Sequence, residues 1–129
     1  MTDFHPNAFD TSNLSESAKR ILRTLILLGL QRGTGGTLAV SIETLSAAAG
    51  LDQVERSVFS IKELLAQSMM ALALLIPSDD EDDEAPEASC PIFRAVRLID
   101  DQIFFELSLP VYSLSMRELD DLLPIRPLR

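Results

Sequence analysis

The spacing of apolar and polar residues divides the chain into helical and strand-like stretches. Ala18, Ile21, Leu22, Leu25, Leu28 and Gly29 recur at three- and four-residue intervals, the repeat of one helix face. Ser15 supplies an N-cap hydroxyl and Glu16 a first-turn carboxylate, so a helix is predicted over 15–31. Its second half, 25–30, is apolar all round, which predicts burial on several sides. Gly33, Gly35 and Gly36 end it, and 38–42 is a short β-compatible segment. A second helix runs through Glu43, Leu45, Ala47 and Ala48, capped near Ser41 and ended by Gly50. A third is predicted over 52–67, with Asp52 as its cap and Val54, Val58, Ile61 and Leu65 as its apolar stripe.

Beyond residue 69 the period shortens. The stretch 70–76 is apolar and stops at Pro77, and 92–99 and 102–109 flank Asp100-Asp101 as the arms of a hairpin. Ile103, Phe105, Leu107 and Leu109 alternate with Phe104, Glu106 and Ser108, placing one face in the core. Ser115 starts a last helix with Met116, Leu119, Leu122 and Leu123 on one side, and Pro124 breaks it. Residues 1–14 mix Pro6, Asn7, Thr11, Ser12 and Asn13 without a repeat, so they are expected to form an open arm that lays Phe4 and Phe9 on the domain or on a partner.

A helix, a short strand, two helices separated by a turn, and then a β-hairpin and a closing helix is the order of a winged helix. The prediction is therefore an α+β winged-helix domain over 15–123, with the arm 1–14, an acidic flexible loop over 78–91 at the wing, and a tail over 124–129.

Composition narrows the function. Eleven Lys and Arg stand against 20 Asp and Glu, a formal net charge of −9, which excludes a generally basic nucleic-acid coat. Seven acids, Asp79, Asp80, Glu81, Asp82, Asp83, Glu84 and Glu87, fall in one run, so most of the net charge is local. The third helix carries Arg56 and Lys62 against Asp52, Glu55 and Glu63. A helix of that charge is repelled by phosphates, so direct DNA binding is disfavoured. Lys62, Arg94 and Arg97 are the residues a nucleic acid would use, with Arg117, Arg126 and Arg129 adding to the basic end of the chain.

Phe59 falls opposite the apolar stripe, beside Glu55, Arg56 and Glu63. An aromatic there either packs under the acidic loop or the N-terminal arm or, set outward among charges, marks a protein contact. The run from Asp79 to Glu84 has two readings, a solvated insertion or a carboxylate row that grips a basic surface. It lacks the glycine and the spaced oxygens of a calcium loop.

One cysteine, Cys90, and one histidine, His5, provide neither a disulfide framework nor a Cys/His metal set. No nucleophile elbow is present, Gly-Thr-Gly-Gly lacks the Lys-Ser/Thr pair of a phosphate loop, and the adjacent carboxylates of Asp100-Asp101 and Asp120-Asp121 point apart. No cofactor and no catalytic group are expected. The acidic start and the short apolar run 25–30 predict neither a leader nor a membrane span, and hence a cytoplasmic setting.

The segment from Arg94 through Ile99-Asp100-Asp101-Gln102 to Ile103-Phe104-Phe105-Glu106-Leu107-Ser108, with Val111-Tyr112-Ser113-Leu114 after it, resembles the N-terminal winged-helix domain of plasmid replication initiators. The resemblance covers 15–114. It implies a non-enzymatic adaptor or regulator of replication or transcription machinery that works by protein contact and is compatible with a homodimer. The alternatives are an acidic nucleic-acid mimic of the phage or plasmid anti-defence type, inhibiting a nucleic-acid-binding enzyme, and a DNA-binding regulator.

Overall fold

A computed structural model describes residues 4–33, 36–52, 57–77 and 88–124. In chain order the elements are β1 (Phe4–Asp10), α1 (Glu16–Arg32), β2 (Leu38–Ser41), α2 (Ile42–Ala49), α3 (Val58–Ser68), β3 (Leu72–Pro77), β4 (Ala88–Pro91), β5 (Phe93–Ile99), β6 (Gln102–Leu107), a 3₁₀ turn (Leu109–Ser113) and α4 (Met116–Leu122). The fold is mixed α+β, and its two antiparallel sheets have the orders β1-β3-β4 and β2-β6-β5.

The helices begin where short hydroxyl side chains cap them. Ser15, Ser41, Ser57 and Ser115 each accept a hydrogen bond from the amide three residues on, satisfying a donor that has no intrahelical partner. α2 ends at Gly50 in the left-handed region, φ 73°, where a side chain is disfavoured. At Ser115 the cap is reciprocal, because Glu118 reaches back to the Ser115 amide at 3.0 Å.

α1 is the centre of the core. Ala18, Ile21, Leu22, Leu25, Ile26 and Gly29 are buried in it, and α2, α3, α4 and β6 all pack on it. Leu27, Leu28 and Leu30 are half-buried, so the all-apolar stretch faces neighbours on several sides as its composition predicts. Ser68 Oγ, buried at the end of α3, shares its one hydrogen between the carbonyls of Leu64 (2.9 Å) and Ala18 (3.2 Å), tying α3 to α1.

The second sheet closes the other side of α1. Ile103, Phe105 and Leu107 point inward from β6, and the Phe93 and Phe105 rings meet edge to face at 6.3 Å between centroids. The β5–β6 hairpin turns at Asp100-Asp101, as the alternation predicts. Asp100 adopts φ 57°, a conformation its short polar side chain tolerates. The Asp101 carbonyl accepts the Ile42 amide at 2.8 Å, which fixes the hairpin against the start of α2.

Several sequence expectations need correction. The open arm is, over Phe4–Asp10, a strand paired with β3. Pro6 and Asn7, which argue against a strand, are accommodated because β1 is an edge strand and its register shifts between Pro6 and Ala8. Ser57, not Asp52, caps the third helix, which starts at Val58; Val54 lies outside the described residues. Leu109 leaves the β6 alternation at the 3₁₀ turn and is 69% exposed. Of the loop 78–91, Ala88–Pro91 is strand β4. The acidic run itself, placed at the wing, lies outside the described residues; along the chain it falls between β3 and β4 of the first sheet. One chain crosses between the sheets at Ile92, where Ser108 binds both sides of the corner. Its amide donates to Ile92 O (2.9 Å) and its hydroxyl to Pro91 O (2.6 Å).

Candidate functional site

Turning Ile61, Leu64, Leu65 and Ser68 inward against α1 leaves the opposite side of α3 to solvent. Positions 59, 62, 63 and 66 all fall there and all are exposed, as the 3.6-residue repeat requires. Phe59 is 71% exposed at the start of the helix, and Met69 and Met70 are exposed where it ends. Lys62 and Glu63 stand between them as one charge of each sign. The surface is therefore apolar at both ends and close to neutral in the middle.

The other predicted contacts are dispersed. Arg94 and Arg97 are exposed on β5, and the Arg94 guanidinium is paired with Glu106 at 3.3 Å on the neighbouring strand. Lys62 stands on α3, so the three candidate cations belong to two elements. Glu55, Arg56 and the run Asp79, Asp80, Glu81, Asp82, Asp83 and Glu84 lie outside the described residues.

A second cluster had no local signal in the sequence. His5 of β1 reaches both segments near the C-terminus. Its Nε2 is 2.6 Å from Glu118 Oε2 on α4, and its Nδ1 is 3.0 Å from Ser113 Oγ in the 3₁₀ turn. The ring edges a cleft of about 170 Å³ lined by His5, Pro6, Asn7, Glu118, Asp121 and Leu122. A serine, a histidine and a glutamate in line suggest acyl transfer, but the hydrogen bonds argue otherwise. The Ser113 hydroxyl has one proton, and Pro110 O accepts it at 2.7 Å. Ser113 also does not line the cleft, which opens on the carboxylate side of the ring. Elsewhere, burial pushes the Cys90 thiol above its usual range, away from the thiolate a nucleophile needs. Among the described residues no group of three His, Cys, Asp or Glu side chains is placed to hold a metal ion.

The hydrogen bond from the Ser115 amide, with that from His5 next, holds the Glu118 carboxyl below its usual value of 4.5. A carboxyl lowered in the folded chain contributes stability that is fully present above its unfolded pKa and is lost as pH falls through the folded one. Urea denaturation of the wild type and of Glu118→Gln should therefore show the wild-type advantage above about pH 4.5 and its progressive disappearance below.

No helix among the described residues is long and apolar enough to cross a membrane. Comparison with protein-family models, with curated proteins and with solved structures finds no match.

Proposed function

We propose that the chain is a winged-helix adaptor or regulator of replication- or transcription-type machinery, acting by protein contact through the outward face of α3 and not by catalysis. The order α1, β2, α2, α3, β5, β6 with the strand arrangement β2-β6-β5 supports the winged-helix reading, and β3 and β4 are then an addition before the hairpin. The observation that carries the functional reading is Phe59, a large aromatic 71% exposed on the helix that would read DNA in a winged helix, with Lys62 and Glu63 cancelling beside it. Phosphate binding gains its affinity from cations that neutralise the backbone. A bare aromatic gains its affinity by desolvation in a partner's pocket.

Phe59→Asp tests this directly. The side chain is mostly in water, so stability should change by no more than about 0.5 kcal/mol. Binding to the protein partner, identified by affinity capture from the source cell and then titrated with purified components, should weaken at least about 30-fold, the effect of losing an aromatic anchor. Equal affinity of the two forms would refute the contact. Binding to a DNA duplex that declines steeply with added salt would support the DNA-binding regulator instead.

A further inference from the structure

A sheet edge is a row of unpaired amides and carbonyls that another chain can use, and proteins blunt it with short strands, prolines and bulges. Among the described strands, three of the four edges are blunted in that way. β2 and β4 have four residues each, β4 ending at Pro91, and β1 carries Pro6 and a register shift in its middle. β5 is different. It has seven residues and no proline, and its register shift falls at the start, between Phe93 and Ala95, so 95–99 runs regularly along β6. Among the described residues β6 is the one strand bonded to it, and its other side is open.

The side chains of β5 define what fits there. Val96 and Leu98 stand opposite Phe105 and Ile103 on the core face, and both are only half-buried at the end of the sheet. On the other face Ala95, Arg97 and Ile99 are exposed, and Arg94 beside them is paired with Glu106. Arg97 makes no ion pair among the described residues. The strand carries two cations and no acid, in a chain whose net charge is −9. We propose that the open edge of β5 takes up an extended acidic segment of a partner protein as a fourth strand of the β2-β6-β5 sheet, its apolar residues covering Val96 and Leu98 and its alternate carboxylates meeting Arg97. The two-residue period of a strand makes both contacts at once. Two cations, one of them already paired, are few for a phosphate backbone, and a second copy of β5 brings arginines, not carboxylates. This edge lies on a different element from α3 and does not depend on the contact at Phe59.

The probe is a peptide of alternating valine and glutamate, about eight residues long to match a strand and capped at both ends. It is titrated at low salt into the full chain, with binding read by calorimetry and by amide exchange. It should bind, and it should slow exchange of the β5 amides. Arg97→Glu, at an exposed position that leaves the core untouched, should weaken binding at least about fivefold, because an attraction becomes a repulsion, and should improve binding of the valine–lysine counterpart. A strand turns every second amide toward the edge it joins. Methylating the amide nitrogens of one alternate set should therefore weaken binding at least about tenfold, and methylating the other set should leave it unchanged. No binding, equal binding of the two methylated peptides, or equal affinity of the wild type and Arg97→Glu would overturn the proposal. So would an oligothymidine that binds at β5 where the peptide does not, which would give the arginines to a phosphate backbone, or a dimer of the chain paired through β5 that the peptide leaves intact.

Discussion

Truncating Phe105 to alanine is expected to remove about 3–5 kcal/mol of folding free energy. The ring is 1% exposed, it lies on the central strand of the β2-β6-β5 sheet, and it meets Phe93 edge to face. Nothing nearby can fill the space cheaply, because Ile103 and Leu107 on the same face are themselves buried on β6, whose backbone is held on both sides. A domain of this size has about 5–15 kcal/mol in all, so the variant should sit near the edge of folding and melt about 10–20 °C lower. Phe105→Leu, which keeps most of the volume, should recover more than half of the loss. Urea denaturation gives both values. A loss under about 1 kcal/mol for the alanine form would mean that the second sheet does not close the core in this way.

How much of this was legible in the sequence depends on how far apart the deciding residues lie. Ser15, Ser41 and Ser115 announce their helices because the capping contact spans three residues, and Asp100-Asp101 announces the hairpin because its strands are adjacent in the chain. The third helix shows the limit of the same rule. Asp52 and Ser57 are both good caps, and the choice of Ser57 shortened the helix at its start. Strand β1 was hidden because its evidence lies elsewhere. Pro6 and Asn7 resist a strand locally, and only β3, about 70 residues away, supplies the partner. The composition of the acidic run does not tell which sheet its flanks join, which takes the β3–β4 pairing. For the candidate site, the outward position of Phe59 followed from helical periodicity alone, whereas the His5 network joins residues 108 and 113 positions apart and leaves no periodic trace. The charge balance was legible as a count, but not the pairing of Arg94 with Glu106, which needed the β5–β6 register.

Gly29 gives the sharpest test of how α1 meets the second sheet, because two effects oppose each other there. Helix propensity says that Gly29→Ala inside α1 should stabilise by about 1 kcal/mol. Packing says the reverse: a methyl group at that position would overlap the end of the Leu107 side chain and come within 2.8 Å of its Cγ. Leu107 is 1% exposed and cannot swing into solvent, so helix and sheet must separate or Leu107 must leave its rotamer. Overpacking of this kind costs about 1–3 kcal/mol, and the net expectation is a destabilised variant, by about 1–2 kcal/mol once the propensity gain is subtracted. The cause can be isolated with a second substitution. Leu107→Ala alone should cost about 2–5 kcal/mol, but in that background the overlap is gone and Gly29→Ala should stabilise, giving a coupling of about 1–3 kcal/mol between the two sites. If Gly29→Ala stabilises the wild type as much as it stabilises Leu107→Ala, the two residues do not touch, and the approach of α1 to β6 that organises this core is wrong.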